Sequence, residues 1–390
     1  MYNQIDIIIA LSYLLIWFIS LYQLYRDGQI KRNVKKACQK GSLITSLPKF
    51  SIVITAHEQG GPLQKHLPLI LEQDYAQEFE VIVVDINSTD NTHQILEKLQ
   101  LCYGNLHIVN VPTTARDIST IRLALTLGIR AASNDWIVFT QADCFPASPN
   151  WLMQMGKSCM EKENTEIVLG YSHYTSAKGW TGLCNRFYRT WQQMLILPYT
   201  EKRGAYSADG TNLCYRRSLF LKHKGFAEHT DLLLGAIEIM INQNSTKANT
   251  SVCYHSDAFI LQDYSKYSQV LQQGALFFTE TRRHFRHYLC HHIKYLWKIL
   301  IIWCFTIMSI TGCLFEFLKG NEIYAYSILG IWGLHIIIRT ICYKKIINTL
   351  QEPSFSPFTS LLLHLPIWWD IKAWLRWLFT KKQVFLKKYI

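Results

Sequence analysis

Several patterns that would place this chain at once are missing from it. There is no Gly-rich phosphate loop, no P-loop and no Ser-His-Asp arrangement, which removes P-loop phosphoryl transfer and triad hydrolysis from consideration. The eleven cysteines include no CxxC pair and no disulfide-like spacing. An odd, scattered set reads as reduced thiols and not as a secreted framework. Acid is in short supply: 28 Asp+Glu face 40 Lys+Arg, a net +12, which points to nucleic acid or to an anionic membrane surface. No DNA- or RNA-binding signature is present and the basic residues sit beside long apolar runs, so a bilayer is the expected partner and nucleic acid is not. Internal repeats and low-complexity stretches are absent as well.

The apolar runs set the organisation. Ile7 to Tyr25 is interrupted only by Ser12, Ser20 and Gln23, about the length that spans a bilayer. Arg26, Lys31, Arg32, Lys35, Lys36 and Lys40 follow it, where a cleaved signal peptide would carry its charge in front. The expectation is an uncleaved anchor over residues 1–25 and a basic cytoplasmic linker over 26–46. A soluble α/β domain is expected over 47–290, then a hairpin of two membrane helices over 295–342, turning at Lys319-Gly-Asn-Glu322. Arg282, Arg283, Arg286, Lys294 and Lys298 before the hairpin, and Lys344 and Lys345 after it, put both flanks in the cytoplasm, with Arg339 snorkelling from the last turn. Residues 343–390 mix Trp368, Trp369, Trp374 and Trp377 with Asp370, Lys372 and Arg376, which favours an interfacial tail over a further span. A multi-pass protein of the inner, cytoplasmic membrane is therefore expected, its α/β domain on the cytoplasmic side, with the closing lysines on anionic lipid.

Within the domain, Phe50-Ser-Ile-Val-Ile-Thr55 and Val81-Ile-Val-Val-Asp85 read as buried parallel strands, each ending in a polar loop. Leu63–Leu71, Thr92–Leu101 and Thr120–Ala132 carry helical spacing, and Asp135-Trp-Ile-Val-Phe-Thr140 gives a further strand. Strand–helix alternation predicts a mostly parallel sheet, whose ligands bind outside the carboxyl ends of the strands. Asp85 and Ser88 would sit there.

Four stretches, in order, carry a family resemblance: Ser51-Ile-Val-Ile-Thr-Ala-His-Glu-Gln59 with Leu67–Tyr75; Val83-Val-Asp-Ile-Asn-Ser-Thr-Asp90; Ala124–Ala132 leading to Phe139-Thr-Gln-Ala-Asp-Cys-Phe-Pro-Ala147; and Asn212–Phe220 with Lys224-Gly-Phe226. From about Phe50 to His287 the chain resembles the family 2 glycosyltransferases, and its apolar flanks match the membrane-anchored bacterial members. The resemblance implies an α/β fold of GT-A type, a Rossmann-like nucleotide-sugar-binding domain with N-terminal and C-terminal transmembrane helices. It implies transfer of a sugar from a nucleotide-sugar to a glycan or lipid-linked acceptor at the cytoplasmic membrane face, with inversion. The alternative is a catalytically silent scaffold or binding protein on the same fold in a glycan-assembly complex.

Asp85 and Ser88 would then contact the nucleoside, and Asp143 would hold a divalent cation, Mg²⁺ or Mn²⁺, against the diphosphate. Asp143 also reads as a cap on the turn through Cys144-Phe-Pro146. Inverting transfer needs a general base. The aligned position is Ala236, so Glu238 is the candidate catalytic residue, or else an ordinary exposed helix residue; Asp231 is a weaker stand-in. Several motif positions depart from the family pattern. Gln141 replaces the first Asp of Asp-X-Asp, Glu58-Gln59 stands for Asn-Glu, Ile86-Asn87 follows Asp85, and Gln272-Gln273 is not followed by the usual arginine. Arg282, Arg283 and Arg286 could supply positive charge but read more simply as the membrane flank. His284, His287, His291 and His292 share helical spacing but lack a completing ligand, so interfacial histidines are the expected reading.

Overall fold

The computed structural model describes residues 4–39, 46–111, 120–175, 179–208, 210–222, 225–226, 235–263, 281, 283–353, 355, 359–366, 368, 371 and 375. At its centre is a seven-stranded sheet in the order β3-β2-β1-β4-β8-β6-β9. Its strands are β1 (Phe50–Ala56), β2 (Phe79–Asp85), β3 (Leu106–Asn110), β4 (Trp136–Gln141), β6 (Ile167–Gly170), β8 (Leu213–Arg216) and β9 (Thr250–Cys253). β1 runs parallel to β2 and β4, and β2 runs parallel to β3, with Ile52 level with Val81 and Val138. β8 is antiparallel to both β4 and β6. A second sheet of three strands joins β5 (Cys144–Pro146), β10 (Ile260–Gln262) and β7 (Ser172–Tyr174). The α/β, GT-A-like fold expected from the sequence is present, and its mostly parallel sheet is made mixed by β8.

The strands read as unbroken apolar runs because both faces are covered. Side chains alternate along them. Ile52 and Ile54 of β1, with Val81 and Val83 of β2, face α3 (Gly60–Leu71), α4 (Thr92–Cys102) and α6 (Trp151–Cys159) through Leu63, Leu67, Leu96 and Trp151. Val53, Ile82 and Val84 face the opposite way, onto α5 (Thr120–Ala131). Gly128 makes this close docking feasible: a Cβ there would meet Val53 Cγ1 at 2.6 Å. α7 (Gly179–Arg203), α8 (Arg217–Lys222) and α9 (Ala236–Asn244) complete that second face. Each fully buried Ile or Leu contributes roughly 1.5–3 kcal/mol of transfer free energy.

Among the described residues, three stretches contain helix long and apolar enough to cross a membrane: residues 7–39, 289–318 and 322–349, with mean hydropathy 2.1, 2.0 and 1.5. They hold α1 (Gln4–Asp27), α10 (Tyr288–Leu318) and α11 (Glu322–Thr349). Polar side chains join them: Tyr13 to Ser309 at 3.1 Å, and Ser20 to His335 Nε2 at 3.2 Å. Where α1 ends, buried Asp27 accepts from Tyr343 at 2.6 Å and pairs with Lys298. Two expectations change here. Residues 26–46 hold a helix, α2 (Gln29–Gln39), whose Ile30 and Val34 are buried and whose Asn33 donates to Glu201 of α7 at 2.6 Å. Arg339 lies ten residues before α11 ends at Thr349, with only 3% of its surface exposed, so it packs within the helices and does not snorkel. The apolar run ends at Cys342, but the hydrogen-bonded helix continues through the polar residues that follow it to Thr349.

After α11 the chain does not go straight to a headgroup layer. Leu350 and Phe355 are buried against the α/β domain, and the short helix α12 (Thr359–Leu362) is followed by buried Leu363 and by His364, bonded to Thr306 at 2.9 Å. Most of the Trp- and Lys-rich tail, from 369 on, lies outside the described residues, as do Asp231, Gln272, Gln273 and Arg282.

Candidate functional site

At the carboxyl ends of β1 and β2 two loops are knitted together. Asp85 Oδ1 accepts from Ser88 twice, from its backbone N–H at 3.1 Å and its hydroxyl at 2.6 Å, in an Asx-type turn. Asp85 Oδ2 lies 3.6 Å from His93 Nδ1. The Ser88 hydroxyl oxygen in turn accepts from Glu58 N–H at 3.0 Å, and Glu58 Oε1 accepts from Thr89 N–H and Oγ1 at 2.6 and 2.9 Å. Those bonds from Thr89 hold the Glu58 carboxyl below its ordinary range. Glu58 and Asn87 both occupy the left-handed backbone region, with φ of 54° and 48°, strain that the interlocking bonds sustain. Asp85 is nine-tenths or more buried, with 4% exposure.

Two strands away on the same edge, Asp143 follows β4 and is fully buried. Gln262 of β10 donates through one amide nitrogen to Asp143 Oδ1 at 3.0 Å and to Gln141 Oε1 at 2.9 Å. Asp263 N–H donates to the Asp143 carbonyl at 2.9 Å. Arg189, from α7, donates to the Gln262 side-chain oxygen, to Ser172 Oγ at 3.0 Å and to Thr211 Oγ1 at 2.9 Å. Asp263 itself is held by Lys65 Nζ and His66 Nε2, each at 2.8 Å, and by Thr175 Oγ1 at 3.2 Å. Burial pushes the Asp263 carboxyl up, but the hydrogen bonds from Lys65 and His66 outweigh it and hold the group below its ordinary range. Burial pushes the His66 imidazole down, further than Asp263 pulls it up, and the ring stacks on Phe145 with centroids 4.5 Å apart.

Sequence reasoning placed Asp85, Ser88 and Asp143 on this edge. It missed Gln262, Asp263, Arg189, Lys65 and His66. Only the loss of a carboxylate at Gln141 hinted that an amide partner was needed: Gln262 satisfies Gln141 and Asp143 together. Glu238 sits half-buried in the first turn of α9. Its helix starts from Gly235 at φ +89°, where a Cβ would strike Thr281 Cγ2 at 2.3 Å. The neighbouring Ile237 reaches Gly210, next to Thr211, so α9 abuts the loop that carries one of Arg189's partners.

The other sequence candidates have structural posts. Arg286 donates to the Gln243 carbonyl at 2.8 Å, and its N–H to Asn242 Oδ1 at 2.6 Å, fixing the entry to α10 on α9. His291 stacks on Tyr206 with centroids 3.6 Å apart. Among the described residues no group of three His, Cys, Asp or Glu side chains is placed to hold a metal. Trp191 is buried against Tyr295, whereas Trp180 is 62% exposed.

With this geometry in place, the relatives can be compared. The family model for glycosyl transferase family 2 matches residues 51–223. Glycosyltransferase AglE of Haloferax volcanii is 24% identical over 232 residues, 59% of this chain and 72% of that protein. Among solved structures, the mannosyltransferase PcManGT from Pyrobaculum calidifontis, in complex with GDP-Man and Mn²⁺, aligns over 92% of this chain and 99% of its own at a TM-score of 0.52 and 16% identity. S. aureus TarS 1-349 in complex with UDP-GlcNAc aligns over 78% of this chain and 89% of its own at a TM-score of 0.43. The matched residues run from β1 through α8 and include the strands whose carboxyl ends carry Asp85 and Asp143; over this stretch the chain is similar to the family 2 glycosyltransferases, and its fold is GT-A-like with long apolar helices at either end.

Proposed function

We propose that the enzyme moves a sugar from a nucleotide-sugar donor to a glycan or lipid-linked acceptor at the cytoplasmic face of the membrane, inverting the anomeric centre. The observation that carries this reading is Asp143, a fully buried carboxylate at the carboxyl edge of the parallel strands, held by a dedicated amide on the edge where such sheets bind ligands. Asp85, kept in place by Ser88 and His93, takes the nucleoside end, and the Asp143 side takes the diphosphate.

The donor set there suits a hard divalent cation: the Asp143 carboxylate and the Gln141 amide oxygen are oxygen ligands, both reached by one Gln262 N–H₂. Few protein ligands are what Mg²⁺ or Mn²⁺ needs when phosphate and water supply the rest. Such an ion, when bound, offsets the negative charge growing on the departing nucleoside diphosphate. The solved mannosyltransferase of like fold carries GDP-Man and Mn²⁺, the class of donor and cation assigned here. Glu238 is the proposed base on the acceptor hydroxyl, and Arg189 holds the Gln262 carbonyl so that the amide faces Asp143. The three apolar helices bring an acceptor embedded in lipid to this domain, with the basic residues Lys35 and Lys36 of α2 exposed toward anionic headgroups.

The test is transfer of label from UDP- and GDP-linked sugars into a membrane lipid extract by the bilayer-embedded protein. Glu238→Gln is expected to slow transfer by about 10²–10⁴-fold, the usual contribution of a general base. A wild-type rate in that variant would remove Glu238 from the mechanism.

A further inference from the structure

The segment that leaves the membrane hairpin enters the α/β domain and stops beside the strand and helix that build the Asp143 site. α11 ends in a Schellman turn: Glu352 N–H bonds the Ile347 carbonyl at 3.2 Å, and Gln351 N–H bonds the Asn348 carbonyl at 3.3 Å. The left-handed position of that turn, usually glycine, is Gln351 at φ +57°, a strained choice that persists only where surroundings enforce it. What the turn delivers is Glu352, whose side chain has no solvent exposure. Its Oε1 accepts from Tyr171 and from Thr190, and its Oε2 lies 3.9 Å from Arg186 Nε. Arg186 also donates to the Pro353 carbonyl at 2.8 Å and lies over the Phe355 ring at 4.3 Å. Phe355 meets Phe187 edge-on, with centroids 5.5 Å apart.

Two of those partners, Tyr171 and Thr190, adjoin residues of the site. Tyr171 precedes Ser172, and Thr190 follows Arg189; Arg189 binds Ser172, Thr211 and Gln262, and Gln262 binds Asp143. A buried carboxylate is costly unless fully paired, so it fixes the groups that pair with it. We propose that Glu352 is a positioning residue through which the seated membrane hairpin sets Arg189 and Gln262, and thereby the cation-holding geometry of Asp143. This rests on the donor-site reading above, and it adds that the hairpin is part of the donor site's scaffold as well as a membrane anchor.

The experiment uses the full chain in phosphatidylcholine–phosphatidylglycerol nanodiscs, with Mn²⁺ plus GDP or UDP as the calorimetric probe and hydrogen exchange as a second readout. Glu352→Ala is expected to weaken Mn²⁺-dependent nucleotide binding by about 10- to 100-fold, the usual effect of removing a group that orients a metal ligand. Exchange should speed up at Ser172–Tyr174 and stay slow in β1. Glu352→Gln keeps an acceptor for Tyr171 and Thr190 and is expected to recover most of the affinity, whereas Glu352→Met fills similar space without an acceptor and is expected not to; full recovery in Glu352→Met would assign a merely space-filling role and overturn the proposal. Unchanged binding in Glu352→Ala, or a loss matched by fast exchange throughout β1, would overturn the proposal. If the wild-type chain binds neither nucleotide, the donor-site reading fails. The hairpin coupling is then judged by exchange alone: faster exchange at Ser172–Tyr174 in Glu352→Ala upholds it, and no change overturns it.

Discussion

The two ends of the candidate donor site are built in opposite ways. Asp85 is held by its own neighbourhood: Ser88 lies three positions on, His93 stands on the next helix, and the facing loop comes from the preceding βα unit. Asp143 is held by remote chain: Gln262 lies 119 positions away, and the arginine that orients Gln262 comes from a third element, α7. Local construction makes a motif that survives on its own loop. Remote construction makes an end that works only when the second sheet, α7 and the hairpin exit are all seated. The first end should therefore tolerate damage elsewhere, and the second should register it.

The sharpest way to break that contrast is Gln262→Ala. It leaves fully buried Asp143 and half-buried Gln141 each short of a donor and Arg189 short of an acceptor. Mn²⁺ affinity should fall by about 10- to 100-fold, and stability by about 1–3 kcal/mol. Calorimetry and a denaturant titration of the solubilised protein would check both. Equal Mn²⁺ affinity in the variant would mean that Asp143 does not depend on its remote partner.

A smaller effect is expected at the other end. Ser88→Ala removes one donor to Asp85 and one acceptor for Glu58 N–H, costing about 0.5–1.5 kcal/mol. Its effect on nucleotide affinity should add to that of Gln262→Ala within about 0.5 kcal/mol, because the two ends share no partner. A double variant departing from additivity by more than that would join the two ends into one network.

The smallest effect separates them by pH. His66 and Asp263 both titrate below their ordinary values, 6.5 and 3.8, so the unfolded chain takes up each proton first as the pH drops. Their stability contributions are fully present above those values and are lost on acidification, His66 first and Asp263 second. The melting temperature of the solubilised protein should begin to fall below about pH 6.5 and fall again below about pH 4, and His66→Asn should shrink the first step, leaving the part due to His255, which burial also pushes down. A first step of unchanged size in His66→Asn would assign it to other groups.

What could be read from the sequence follows the same division. β1, β2, β4 and the helices between them announce themselves because strands buried on both faces are unbroken apolar runs, and Asp85 and Ser88 could be placed because they close the second run. Gln262 and Asp263 could not, since β10 is a three-residue strand paired with β5 and β7, too short for a periodic signal. Arg189 and Glu352 were hidden for another reason: a charge on a helix or after a membrane span reads as surface or flank until the fold pairs it with partners from remote chain. The same blindness hid α2, whose four basic residues, Lys31, Arg32, Lys35 and Lys36, look like a linker while Ile30 and Val34 bind it to the domain.

The most direct test of a metal-dependent donor site at Asp143 is calorimetric titration of the bilayer-embedded protein with GDP and UDP, with and without Mn²⁺, beside an Asp143→Ala variant. The account expects nucleotide binding that requires Mn²⁺ and is lost in the variant. Binding that is indifferent to both the ion and the substitution would contradict it.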